Sequence, residues 1–270
     1  MRFEIIFVRH GESCANVWQD ETLIGQLRYS DPELTKRGIS RSTEKYSMLK
    51  KVIDEYLPSY TIGASSMLRA QETAYYMLAK HVNKPINIIP HLSEEGVTVN
   101  NIPYSKEKQK QLFEKIDPDI VDKITEGKDG RKSQSILNKA SYSSFLKWAK
   151  KNPDYFEKGD DDVYRAVIFT HGKLLRNVFP LKNAIPPVKT HKKYDNNDFI
   201  LLSIGDVDET SKIPHEPHFL YFSTSSIKGT PESEEGCPAE NCRIPLSCKK
   251  KGGTVRRRHG NRHTRRRKVF

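Results

Sequence analysis

A chain of 270 residues with 36% hydrophobic and 30% charged residues can bury one large core or two small ones, yet is polar enough that part of it should stay unstructured. No apolar run approaches membrane-spanning length, so a transmembrane segment is not expected. The net charge of +12 is uneven: residues 249–270 hold 11 Lys/Arg and no Asp/Glu, which leaves 35 basic against 34 acidic residues in the rest of the chain.

The first apolar run, Phe3–Val8, reads as a buried strand that ends on Arg9, His10 and Gly11. Ser13 to Gln19 reads as a short helical turn and 20–33 as loop. Thr35 is placed to cap a long helix through about Leu57, with Pro58 just past its end. Residues 60–64 form a second strand and run into a helix from about Ser65 to Ala79. Ile86–Ile89 is a short strand stopped by Pro90. Residues 105–126 have weak helical character, and 127–135 read as a flexible insertion. A helix is expected from about Ser141 to Lys151. Strand 166–170 leads into His171-Gly172 and a helix to about Phe179. Residues 198–204 and 218–223 read as two late strands, a hairpin or a sheet edge. Residues 224–248, rich in Ser, Glu, Pro and Gly, look like a linker, and 249–270 cannot build a core and should be disordered. The alternation of strands and helices implies a three-layer α/β sandwich, with a mainly parallel sheet between helices.

Three strand ends therefore deliver Arg9 and His10, Arg69, and His171. In an open α/β sheet, ligands bind beyond the carboxyl ends of strands. Arg9 and Arg69 each offer a planar fork of donors suited to phosphate oxygens, and His171, if protonated, adds a third cation. His10 is a candidate nucleophile if its attacking nitrogen is neutral, with the other ring nitrogen donating to a backbone carbonyl.

Arg9-His10-Gly11-Glu12-Ser13 with Asn16, Asp31-Pro32 with Leu34-Thr35 and Gly38, Ser65 through Ala74, Leu92-Ser93-Glu94, and Thr170-His171-Gly172 occur in the order seen in the histidine phosphatase superfamily. On these residues the chain resembles the phosphoglycerate-mutase-like branch 1 of that superfamily over most of 3–180. The resemblance implies a phosphoglycerate-mutase-like fold and a histidine phosphatase domain over 1–223, with an insertion or partial cap at about 97–160. It implies a metal-independent phosphatase, without cofactor, that forms a phosphohistidine on His10. Glu94 fits the proton donor's place after Leu92, and adjacent Glu95 remains an alternative. Asn16 and Gly172 join Arg9 and Arg69 as substrate-binding candidates; a turn or capping role for Asn16 weighs equally. Lys173 stands where the family often has a second glycine.

The substrate class left open is a phosphorylated small molecule or a phosphopeptide. Two further readings stay beside the phosphatase: a phosphoglycerate mutase, and a non-catalytic module that binds phosphorylated ligands. Against the mutase, 17–30 lacks a Phe-Thr-Gly-Trp-like segment, and the stretch after Glu94 lacks the expected basic residues. The basic tail suits weak contact with nucleic acid or an acidic surface. Cys237, Cys242 and Cys248 are read as free thiols, because C-x4-C-x5-C is not a standard zinc pattern, and Cys14 reads as a small buried residue close enough to His10 to be open to oxidation. With no secretory signal visible, a reducing cytoplasmic setting is the default, or the nucleus through the basic tail.

Overall fold

A computed structural model describes residues 1–21, 30–94, 98–125, 142–185, 187, 193–205, 218–223 and 242. The first strand, β1 (Arg2–Arg9), lies inside an eight-stranded mixed sheet of order β4-β3-β2-β6-β1-β7-β8, with β5 paired to β6 off that path. The chain is a three-layer α/β protein. β1 is apolar on both faces because both are covered. Ile6 and Val8 enter one core, while Phe3, Ile5 and Phe7 enter the other. This two-residue alternation is the strand period. Full burial of each such side chain is worth roughly 1.5–3 kcal/mol.

β6 (Val163–Thr170) runs parallel to β1 with Arg9 opposite Thr170. β2 (Thr61–Ala64) runs parallel to β6 with Ala64 opposite Phe169. The carboxyl ends of β1, β6 and β2 are therefore neighbours, level to within a residue. β3 (Ile86–Ile88) and β4 (Ile124–Thr125) extend the parallel side. β7 (Phe199–Ile204) and edge strand β8 (His218–Phe222) close the other side antiparallel, as the expected hairpin. The two-residue β5 (Glu157–Lys158) turns antiparallel into β6.

One helical layer holds α2 (Lys36–Glu44), α3 (Tyr46–Tyr56), α4 (Leu68–Ala74), α5 (Lys106–Ile116) and α6 (Asp119–Lys123). The opposite layer holds α7 (Tyr142–Lys151) and α8 (Gly172–Val178), where Phe7 stacks on Phe179 and meets Phe145 edge-on. The stretch 97–160, read as one insertion, thus divides between both faces. Among its described residues, Asn100 and Asn101 meet Arg69 beside the ends of the central strands.

Thr35 does cap a helix, accepting from Gly38 N at 2.9 Å, but the helix expected through Leu57 is broken at Lys45. Ser42 and Thr43 donate back to the carbonyls of Gly38 and Ile39, a competition with the helical ladder that bends helices. Gly38 itself is required by contact: a Cβ there would sit 2.0 Å from the Glu12 carbonyl oxygen. α1 (Cys14–Glu21) follows the first strand, and α4 continues into a π-helical turn at Tyr75–Ala79.

The free-thiol reading is overturned for Cys242, while Cys14 is buried as expected and oxidised. Cys14 and Cys242 form a disulfide, with Cα atoms 5.8 Å apart and a sequence separation of 228. Spacing along the chain carries no signal for so distant a pair. Cys14 is fully buried and Cys242 is 5% exposed, so this point of the expected linker is held in the core. The cysteine count accordingly no longer argues for a reducing compartment. Cys237, Cys248, the rest of 224–248 and the basic tail at 249–270 lie outside the described residues, as does the insertion at 127–135. Among the described residues no helix is long and apolar enough to cross a membrane.

Closing a loop this long restricts the unfolded chain. Reduction, or Cys242→Ser, is expected to cost about 2–4 kcal/mol of unfolding free energy. Denaturant titrations with and without a dithiol reductant measure it; coincident curves would contradict it.

Candidate active site

The end of β1 is clamped by the loop before β7. Arg9 N donates to Asp198 O at 2.8 Å and His10 N to Thr170 O at 2.9 Å. Asn197 N donates to Arg9 O, Asn196 Nδ2 donates to His10 O at 2.9 Å, and Arg9 Nη1 donates to Tyr194 O. Two consecutive functional side chains at a strand end point to opposite faces unless the backbone leaves the pleat. Here it does: Gly11 N turns to donate to Thr73 Oγ1 at 2.9 Å.

His10 is 2% exposed, with Nδ1 2.7 Å from Gly11 O. A carbonyl only accepts, so Nδ1 carries the proton and Nε2 presents its lone pair. Arg69 Nε donates towards that nitrogen at 3.3 Å. The ring of His171 lies 5.1 Å from that of His10, centroid to centroid. His171 Nε2 meets Ser65 Oγ at 2.7 Å. His171 Nδ1 and Arg9 Nε are buried and have no hydrogen-bond partner among the described residues.

Burial pushes the pKa of His10 well below its ordinary 6.5; the charges of Arg69 and Arg9 push the same way, and the Gly11 carbonyl opposes them. His171 is likewise held low by burial, then by Arg69, His10 and Arg9. The protonation on which a third cation would depend is thus opposed at His171 by burial and by the neighbouring charges. Burial lowers both guanidinium pKa values too, opposed first in each case by the charge of Glu94. Such a pocket has two buried cations and an orphaned donor set, which favours an anion.

Glu94 follows β3 through His91, whose φ of 66° turns the chain, and Leu92, whose carbonyl accepts from Thr170 Oγ1 at 2.8 Å. Donor atoms of His10, Glu94 and His171 lie within 4.8 Å of one another. Two imidazoles and a carboxylate could hold a metal ion, but the charges of Arg9 and Arg69 beside them oppose a cation. Glu95 lies outside the described residues. Asn16 Oδ1 accepts from Ser13 N and Ser13 Oγ, both at 3.0 Å, so its carbonyl end caps the turn and its Nδ2 is the end left to donate. Gly172 has a contact reason: a Cβ there would lie 2.7 Å from Arg9 Nε and 3.0 Å from Arg9 Cδ.

Several supports were not legible. Arg69 Nη1 donates to Asn100 O at 3.0 Å, and Nη2 reaches Asn101 Oδ1 at 3.4 Å. Backbone carbonyls such as those of Asn100, Tyr194 and Gly11 leave no mark in a residue pattern. Ser65, at the turn after β2, holds His171 through its Oγ.

Fold and pocket together gather two guanidiniums and two imidazoles at the carboxyl ends of a parallel sheet. The chain belongs to the histidine phosphatase superfamily (branch 1), whose family model matches residues 5–197. Two Arabidopsis thaliana proteins, the 2,3-bisphosphoglycerate-dependent phosphoglycerate mutases 1 and 2, are each 29% identical over 107 residues. That match covers 40% of this chain and 29% of each mutase, so the chain spans under a third of the length of these relatives. Among solved structures, mycobacterial glucosyl-3-phosphoglycerate phosphatase is 15% identical, with a TM-score of 0.42 over 76% of this chain and 92% of that one. The alpha-ribazole phosphatase of Shigella flexneri is 17% identical, with a TM-score of 0.40 over 83% and 95%.

Gly172→Ala should displace Arg9 and lower affinity for inorganic phosphate about tenfold with the melting temperature little changed, since an Arg–phosphate fork depends on placement. Calorimetric titration measures this; an unchanged Kd would refute it. The imidazoles give a second expectation. In the unfolded chain they take protons as pH falls through 6.5, whereas in the folded chain they do not, so stability falls on acidification. Between pH 7 and about pH 5.5 each contributes a loss of about 1 kcal/mol. His171→Gln should flatten the dependence by that amount in urea unfolding.

Proposed function

We propose that the protein is a phosphomonoesterase working through a phosphohistidine on His10. The observation that carries this reading is the protonation geometry of His10: Nδ1 is committed to the Gly11 carbonyl, and Nε2 faces a pocket shared with Arg69 and His171. Arg9 and Arg69 bind the phosphoryl oxygens as bidentate donors. A bound dianion would also favour protonation of His171, which then donates to it.

Nε2 attacks phosphorus in line. The N–P bond forms as the ester P–O bond breaks, and the departing alkoxide takes a proton from Glu94. Water then attacks the phosphohistidine, Glu94 takes back a proton, the N–P bond breaks, and inorganic phosphate leaves. The positive charges complement the equatorial oxygens throughout, with little reorganisation. The substrate is a phosphorylated small molecule or a phosphopeptide. The partial match to phosphoglycerate mutases supports a second reading, in which the phosphoryl group returns to a sugar-acid acceptor rather than to water.

His10→Ala should abolish both phosphate release and an acid-labile phosphoenzyme. Glu94→Gln should slow alkyl phosphate hydrolysis by about 10²–10⁴ while sparing aryl phosphates, whose leaving groups need no proton. Activity retained in His10→Ala would refute the phosphohistidine. Faster turnover of 3-phosphoglycerate to its isomer than to free phosphate would favour the mutase.

A further inference from the structure

Asp31 stands outside the cluster of imidazoles and guanidiniums, yet it is fully buried, and among the described residues its carboxylate gathers three donors from two distant parts of the chain. Oδ1 accepts from Leu68 N at 2.9 Å. Oδ2 accepts from Tyr104 N at 2.9 Å and from Gln109 Nε2 at 2.7 Å. Leu68 precedes Arg69 on α4. Tyr104 and Gln109 belong to the segment whose Asn100 carbonyl and Asn101 amide oxygen face the Arg69 guanidinium. Gln109 Nε2 and Gln71 Nε2 both donate to Ser66 O, at 2.6 and 2.7 Å, and draw the same two parts together again.

The cost of this arrangement points beyond simple capping. Asp31 adopts a φ of 41°, in the left-handed region, directly before Pro32. A buried carboxylate is expensive unless fully hydrogen-bonded and near a positive charge. Burial raises its pKa, while Gln109, Tyr104 and Leu68 as donors, and Arg69 as a charge, act to keep it ionised. Asp31 is in turn one of two carboxylates, after Glu94, whose charge supports the buried guanidinium.

We propose that Asp31 is a positioning residue for phosphate binding: its carboxylate ties the turn that carries Arg69 to the 98–109 segment that braces Arg69, and so sets where the guanidinium meets the anion. The functional arm of this proposal rests on the phosphate-handling reading above. The structural arm does not.

The test compares wild type, Asp31→Asn, Arg69→Ala and the double variant in the full chain, by calorimetric titration with inorganic phosphate and by hydrogen exchange. Asp31→Asn is expected to raise the phosphate Kd about tenfold and to raise KM more than it lowers kcat. The Leu68 and Tyr104 amides, which lose a charged acceptor, should exchange at least about tenfold faster. In an Arg69→Ala background Asp31→Asn should change the phosphate Kd by less than about twofold, because it acts through Arg69. Independent, multiplying effects on Kd, or an unchanged Kd in Asp31→Asn, would overturn the proposal. Unchanged exchange at both amides would overturn the tie itself. If wild type binds no phosphate, the phosphatase reading fails, while the exchange arm still decides whether Asp31 joins the two segments. Should Asp31→Asn fail to fold, Gln109→Met removes one donor of the three; it is expected to raise the phosphate Kd about threefold, and no change would count against the proposal.

Discussion

Two guanidiniums, that of Arg69 buried and that of Arg9 largely so, beside two buried imidazoles are the constraint that shapes the rest of this protein. Like charges withdrawn from water repel and lose hydration, so the fold must supply acceptors. It does so mainly with backbone: the Tyr194 carbonyl takes Arg9, the Asn100 carbonyl takes Arg69, and the Gly11 carbonyl takes His10. Carboxylates stand one step back. Glu94 influences both arginines, Asp31 supports Arg69, and Asp195 and Asp198 support Arg9. Among the described residues Arg9 Nε and His171 Nδ1 stay buried without a hydrogen-bond partner.

The parallel centre of the sheet makes this possible. β1, β6 and β2 end level with one another, so residues 9–10, 171 and 65–69 arrive together although they are far apart in sequence. Hydrophobic burial on both faces fixes that register, because a one-residue slip of β1 would move Ile6 and Val8 from one core to the other. The chemistry is thus held by elements that also carry much of the core.

The central strands were legible because their apolar runs are uninterrupted and end on polar, glycine-containing turns. The Thr35 cap and the late hairpin could be read for the same kind of local reason. The break at Lys45 could not, since it depends on Ser42 and Thr43 turning to their own helix. The site residues were visible as residue types at strand ends, but their supports were not. Asn100, Tyr194 and Gly11 act through carbonyls that every residue possesses. Asp31 read as an ordinary loop carboxylate until Tyr104 and Gln109 came into contact with it. Cys14 gave no sign of its partner, because pairing across such a distance is a property of the folded core and not of spacing.

That pairing has a topological result. The bond between Cys14 and Cys242 turns the intervening chain into a ring that contains Arg69, Glu94 and His171, with His10 on the short arm leading into it. A single peptide-bond cut anywhere in the ring would leave one covalent molecule, with the strand of His10 still fastened to the fragment that holds His171. Once the ring is cut, a second cut within it or a reduction is needed to part them.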